Sequence, residues 1–181
     1  MKAITATRYG SPDVLKMEEV ERPEPSSGEV LVKVHAAGVN AGDWHLLRGQ
    51  PFLIRLMGFG LLKPKNRILG TDIAGVVEAV GDSATEFKVG DKVFGSLATS
   101  GFGGFAEYAS ARADAIAPMP QNVSFEEAAS LPTSALTALQ ALRKGSVKAG
   151  MEVLVNGASG GVGSFSVQIA KSLGAHVTGV S

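Results

Sequence analysis

The sequence predicts an α/β plus β protein: a strand-rich, barrel-like region over residues 1–123, followed by one β-α-β unit within residues 124–181. Three observations predict it. Up to about Pro120 the apolar residues come in short runs divided by Gly, Pro and Asp, which is the pattern of a sheet protein. At Ser124 the apolar spacing becomes helical. Between two later apolar runs stands a glycine cluster, GASGGVG, from Gly157 to Gly163.

The candidate strands of the first region are KAITATR, VLKMEEV, EVLVKVHAAGV, DIAGVVEAV, DKVFG, GFAEYAS and DAIAP. ERPEPSS is a loop, because Pro23 and Pro25 have no N–H to donate to a ladder. Ser124 with Glu127 three residues on matches a capping box that opens a short helix, and Pro132 restarts a helix in its first turn. Leu136, Leu139 and Leu142 form an apolar stripe on this second helix, which Gly145 ends. MEVLVNG is a nearly continuous apolar run, the kind found in a strand covered on both faces. Val162, Phe165, Ile169 and Leu173 mark one face of the next helix, Gly174 stops it, and AHVTGV is the second buried strand.

Composition narrows the function classes. The chain has 181 residues, 17 Lys+Arg against 17 Asp+Glu, and 45% apolar residues. At this size close to 70% of the unfolded surface can be buried, enough for one sizeable core or two small ones. Zero net charge argues against nucleic acid or a membrane surface as partner. With no Cys there is no disulfide, no thiolate nucleophile and no Cys-based zinc site. The opening MKAITATRYG lacks the apolar core of a secretory signal, so a cytoplasmic location is expected. The most apolar stretch, PFLIRLMGFGLLKPK, is interrupted by Arg55, Gly58, Gly60 and Lys63 and is too short to span a bilayer. The 23 glycines are nearly double the average usage, which points to tight turns or close backbone approach.

The strongest local motif is Ala158-Ser159-Gly160-Gly161-Val162-Gly163, placed after a strand and opening a helix. This is the dinucleotide fingerprint with Ala in place of its first Gly. Gly160 would let backbone approach a pyrophosphate, Gly163 would let helix pack on strand, and the helix N-terminus favours negative charge. The bland alternative is a glycine-rich turn with no ligand. An NAD site places an acidic residue at the end of the second strand; that position is Ser181, which favours a 2′-phosphorylated cofactor unless the acid follows it.

A second constellation is GVNAGDWHLLRG, followed by an apolar flap from Pro51 to Leu62. Asn40 ends a strand and Asp43 is placed to cap the turn that follows. Taken alone, such a pair is more often turn chemistry than catalysis. The flap fits a hydrophobic small substrate and equally a simple core cover. His35, Asp43, His45, Asp72 and Glu78 are the loosely clustered metal candidates, and they lack the spacing of a known metal motif. His176 opens the last strand, and no GxSxG elbow accompanies any serine.

In this order the strings RPEPSSGEVLVKVHAAGVNAGDWHLLRG, ILGTDIAGVVEAVG, FKVGDKVFG, GGFAEYA, AASLPTSALTALQAL and VNGASGGVGSFSVQIAKSLGAHVTGV resemble the medium-chain dehydrogenase/reductase superfamily, in its zinc-independent quinone oxidoreductase-like branch. The resemblance covers essentially the whole chain. It implies a GroES-like β-barrel catalytic domain at 1–123 and an incomplete Rossmann NADP-binding domain at 124–181, with NADPH and substrate meeting in a cleft. The zinc-dependent members carry Cys where this chain has Asn40, His-Glu where it has Thr71-Asp72, and a four-Cys lobe that is missing here.

By the same resemblance the activity is hydride transfer from NADPH to a quinone or an α,β-unsaturated carbonyl compound, without metal. Asn40 matches the active-site Asn and Asp43 its neighbour on the loop. Thr137 is expected beside the nicotinamide carboxamide, and Val162 with its flanking glycines along the pyrophosphate. The expected partner is a small apolar carbonyl or quinone substrate. The family's Rossmann domain continues for several strands past the second, so a C-terminally truncated form is expected. Two further forms stay open: a working homodimer that pairs sheet edges, and a non-catalytic GroES-like interaction module without cofactor binding.

Overall fold

A computed structural model describes residues 1–181 and divides into two compact units, Met1–Ala129 and Ser130–Ser181. In the first, each of the seven predicted runs overlaps a strand: β1 (Lys2–Ala6), β2 (Leu15–Glu19), β3 (Glu29–Gly38), β4 (Asp72–Val80), β5 (Lys92–Ser96), β6 (Tyr108–Arg112) and β7 (Ile116–Pro118). β1 and β2 make an antiparallel hairpin, and the other five form an antiparallel sheet in the order β6-β3-β4-β5-β7. Isolated bridges Ala3↔Ala106 and Thr5↔Ile68 tie the hairpin to the rest.

The five-stranded sheet curls because its central pair carries two irregularities. Along β3 and β4, Leu31 pairs with Ala79 but Val32 with Val77, and Val34 pairs with Gly75 but Ala36 with Ala74. One residue is therefore extra in each strand, Glu78 in β4 and His35 in β3, and each bulge bends and twists the ladder. Val30, Val32, Ile73, Val77, Val93 and Leu97 fill the space enclosed by the curl and are almost completely buried. The inward residues alternate along the strands, which is why the sequence runs read correctly.

Helix α1 (Ala41–Arg48) follows β3, and helix α2 (Phe125–Ala129) closes the unit. The first unit runs past Val123, the predicted boundary, to Ala129. The reason is packing: Ala128 and Ala129 bury against Ala74, with Phe125, Ala36 and Phe94 around them. The predicted capping box forms, with the Ser124 N–H donating to Glu127 Oε2 at 2.7 Å and the Glu127 N–H donating to Ser124 Oγ at 3.2 Å. Ser124→Ala is expected to lower stability by about 1 kcal/mol in urea unfolding.

The second unit is α3 (Pro132–Lys144), β8 (Glu152–Asn156), α4 (Gly161–Ser172) and β9 (His176–Val180), with β8 and β9 parallel and Glu152 in register with His176. Its elements stand where the sequence puts them, but their faces differ from expectation in three ways. On α3 the buried positions are Pro132, Ala138 and Leu142, so the leucine stripe packs only in part: Leu142 is buried, whereas Leu136 is 53% exposed. On α4 the small residues Gly163, Ser166 and Ala170 are buried, whereas Val162 and Leu173 are largely exposed. Small side chains permit the closest approach of neighbouring backbone, so they rather than the bulky stripe mark the contact. Finally, β8 is not covered on both faces, since Leu154 is 70% exposed. A two-stranded parallel sheet with one helix on it has a single covered face.

No helix is long and apolar enough to cross a membrane.

Candidate functional site

The barrel's contribution to the site is fixed by strand register. β3 and β4 pair with Gly38 opposite Asp72, so the residues just beyond β3 meet the residues just before β4. Asn40 thereby comes beside Thr71, and its Nδ2 donates to Thr71 Oγ1 at 3.0 Å. Asn40 is also the residue preceding α1, with extended backbone, as the strand-end reading predicts.

Asp43 holds this arrangement together. Its side chain is buried, Oδ2 accepts the Asn40 N–H at 2.8 Å, and Oδ1 accepts the Gly70 N–H at 3.2 Å. One carboxylate thus clamps the loop after β3 to the loop before β4. Burial pushes the Asp43 carboxyl up from its ordinary value; the N–H groups of Asn40, Gly70 and Thr71 oppose that rise, and the nearby Asp72 adds to it. The capping role read from the sequence is therefore real, with a second partner that spacing alone does not reveal.

The flap folds into a π-helical segment at Arg55–Phe59, and its Phe52, Leu53, Leu56, Met57, Leu61 and Leu62 are exposed. It is fastened from below. Tyr9 OH donates to the Phe59 carbonyl at 3.0 Å, the Arg55 guanidinium lies 4.3 Å from the Tyr9 ring centroid, and Arg55 Nε donates to the Gly49 carbonyl at 3.0 Å. Burial pushes the Tyr9 hydroxyl up from its ordinary value, and the Arg55 charge opposes that rise. The tie between Tyr9 and a segment some fifty residues on has no signal in the sequence.

The metal candidates do not converge. His35 stacks on Phe125 with ring centroids 4.4 Å apart, His45 Nδ1 lies 2.8 Å from the Gln50 carbonyl, and Glu78 pairs with Arg22. No three His, Asp or Glu side chains are grouped so as to hold an ion.

The second unit carries the glycine motif. The N–H groups of Gly157 and Ala158 both donate to the Val180 carbonyl, at 2.8 and 2.9 Å, so the turn is anchored on the end of β9. The first intrahelical bonds begin at Ser164, which leaves the N–H groups of Gly161, Val162 and Gly163 without a helical acceptor. A Cβ built on Gly163 would sit 2.0 Å from the Gly157 carbonyl oxygen, so only glycine lets the helix lie this close to the strand end. A Cβ on Gly160 would meet only the Gly157 oxygen, at 3.4 Å, so this wall of the turn is open. Ala158 is tolerated in place of the usual first glycine because the residue facing its Cβ is Gly179. Three free N–H groups, an open backbone wall and a helix N-terminus suit a pyrophosphate in charge and shape.

The remaining predicted residues are placed as follows. Ser159 and Val162 lie exposed on the turn and first helical turn, and Ser181 is exposed after β9. Thr137 is exposed on α3 with its hydroxyl donating back to the Thr133 carbonyl at 2.6 Å. The structure brings Asn40 and Asp43 together in the first unit, and Ala158 to Gly163 together in the second.

The chain thus joins a curled sheet, with an asparagine loop clamped at the end of its central strand, to a β-α-β unit with a glycine turn. The alcohol dehydrogenase GroES-like domain family matches residues 26–121. The chain belongs to that family, and with it to the medium-chain dehydrogenase/reductase superfamily. The quinone oxidoreductase of Homo sapiens is 39% identical over 183 residues, an alignment that covers 100% of this chain and 53% of that protein. The 2-methylene-furan-3-one reductase of Solanum lycopersicum is 40% identical, covering 100% of this chain and 46% of its own length. The crystal structure of Escherichia coli quinone oxidoreductase complexed with NADPH superposes with a TM-score of 0.84 at 30% identity, covering 99% of this chain and 52% of that one. The chain spans about half the length of the curated relatives it matches.

Proposed function

We propose that this chain carries the substrate barrel and the pyrophosphate turn of an NADPH-dependent oxidoreductase that transfers hydride to a quinone or an α,β-unsaturated carbonyl compound without zinc. The observation that carries the proposal is the turn at Gly157–Gly163, with its three unpartnered N–H groups and open wall at Gly160. When bound, the nicotinamide supplies the hydride. The backbone of Gly160, Gly161, Val162 and Gly163 holds the pyrophosphate, and Ala158 and Ser159 shape the turn that presents it. The neutral Ser181 at the ribose position leaves room for a 2′-phosphate where an acid would repel it. Thr137 presents its hydroxyl from the exposed side of α3 toward the carboxamide end of the cofactor.

In the barrel, the Asn40 amide donates to the substrate oxygen, where negative charge grows as hydride arrives at carbon. Asp43 positions that amide and does not touch substrate. The Asn40 and Thr71 pair offers an amide and a hydroxyl rather than the thiolate, imidazole and carboxylate donors that zinc prefers. The carbonyl is therefore polarised by hydrogen bonds, and the proton that completes reduction comes from solvent. The reading places the enzyme in the cytoplasm, acting on an apolar substrate.

The test is NADPH oxidation by the purified chain with 1,4-naphthoquinone or benzalacetone as acceptor. The expected result is turnover that a metal chelator leaves unchanged and that Asn40→Ala lowers about a hundredfold. Full turnover in the Asn40→Ala protein, or loss of turnover with chelator, removes the assigned chemistry.

A further inference from the structure

From Phe52 to Leu62 the first unit presents a run of large apolar side chains to solvent. Phe52, Leu53, Leu56, Met57, Leu61 and Leu62 are each between 51% and 88% exposed. Single exposed leucines are ordinary on a protein surface, but six such residues within eleven mark an interaction site. Core cover is the bland account, and the segment already has a separate inward side for that task. Ile54 and Phe59 are half-buried and Pro64 is buried, with the Phe59 ring centroid 6.0 Å from that of Phe102. Nor is this the exposure of a loose loop. The Tyr9 hydroxyl and the Lys65 N–H both donate to the Phe59 carbonyl, at 3.0 and 2.8 Å, which closes residues 59–65 on themselves. Leu61 and Leu62 stand in that closed loop, and Leu53, Leu56 and Met57, three and four residues apart, share a face of the helical turn before it.

Charge and chemistry say what covers this surface. Arg48, Arg55, Lys63, Lys65 and Arg67 lie between Trp44 and Thr71, a stretch without one acidic residue. The equal counts of cations and acids, which argue against a membrane partner for the chain as a whole, are thus unevenly spread along it. Arg67 is paired with Glu18 at 2.8 Å, whereas Lys63 and Lys65 are exposed and in no ion pair. Two copies of the patch placed face to face would bring these lysines together, which like charge opposes. From Phe52 to Leu62 the only polar side chain is Arg55, and it is turned to the Gly49 carbonyl and the Tyr9 ring. Protein interfaces are anchored by Tyr, Trp and Arg and carry paired hydrogen bonds. A surface of Leu, Met and Phe that offers none suits hydrocarbon.

We propose that residues 52–65 dock the protein on an anionic bilayer, the apolar side chains entering the boundary between headgroups and acyl chains while Lys63 and Lys65 bind the anionic headgroups. The segment lies in the surface and does not span it. Shallow apolar insertion and a few basic residues are each marginal alone, and the two together hold a peripheral protein reversibly. Docking needs neither nucleotide nor substrate and is independent of the hydride-transfer reading.

Sedimentation of the 181-residue chain with phosphatidylcholine vesicles, with and without about 30% phosphatidylserine, tests it. The protein is expected to bind the anionic vesicles at least about tenfold more tightly than the neutral ones, and more weakly as salt is raised. Leu61→Ser combined with Leu62→Ser leaves the charge unchanged and is expected to lower the affinity at least about tenfold. Lys63→Gln combined with Lys65→Gln leaves the apolar face intact and is expected to remove the preference for anionic lipid. Met17→Ser, at an apolar residue of β2 that is 69% exposed, is expected to bind as the unmodified protein does. Sedimentation with neither vesicle overturns the proposal, and a dimer that the paired leucine substitutions then disperse would assign the face to a second copy. Full affinity in the paired leucine variant, an anionic preference kept in the lysine variant, or an equal loss in Met17→Ser also overturns it.

Discussion

Gly163→Ala is expected to strip the second unit of its fold and to remove NADPH binding. The added methyl would lie 2.0 Å from the Gly157 carbonyl oxygen and 2.8 Å from the Ala158 Cα, both backbone atoms that cannot rotate aside. Relief requires α4 to move off the end of β8, and the buried contacts of Leu142, Ala170 and Ala175 are made by that helix and its neighbours. Overpacking of this kind costs about 3 kcal/mol or more when backbone must shift. A unit of this size has little stability in reserve. Hydrogen exchange read by mass spectrometry should show protection lost across residues 130–181 and kept along β3 and β4. Protection unchanged in the second unit would mean that the helix is not seated as described.

Asp43→Ala carries the second large effect. Two N–H groups, those of Asn40 and Gly70, lose their acceptor in a buried setting, at a cost of about 2–4 kcal/mol. The same change frees Asn40 from the loop before β4, so quinone turnover should fall even at temperatures where the variant stays folded. The pH dependence has a definite sign. Burial holds the folded-state carboxyl above its value in the unfolded chain, so as pH falls the folded state takes up the proton first. Stability contributed by Asp43 then grows as pH falls through that window and is reduced as pH rises through the folded-state value. The gap in urea midpoint between the unmodified protein and Asp43→Ala should therefore widen from about pH 7 to about pH 4.5. A gap that narrows would mean that the carboxyl is held below its ordinary value.

Much of this could be read in the chain before any coordinates. Strands show themselves because period-two alternation is a local property, and so do the box at Ser124 and Glu127 and the turn at Gly157–Gly163, each set by a few neighbouring residues. What escapes is decided at a distance. Asn40 meets Thr71 through the register of β3 on β4, and the two bulges at His35 and Glu78 that set this register have no local mark. Gly70 as a second partner of Asp43, and Tyr9 as the anchor of the flap, are invisible for the same reason. Leu136 illustrates the opposite failure: periodicity names an apolar face, but small residues such as Ala138 and Gly163 decide which face packs.

The central claim is that the β-α-β unit is a working NADPH site. Calorimetric titration of the 181-residue chain with NADPH and, separately, with NADH tests it most directly. The account predicts saturable binding of NADPH, clearly tighter than that of NADH, abolished by Gly163→Ala. Absence of heat with either nucleotide at millimolar concentration would contradict it, and would make the barrel a GroES-like interaction module whose glycine turn holds no cofactor.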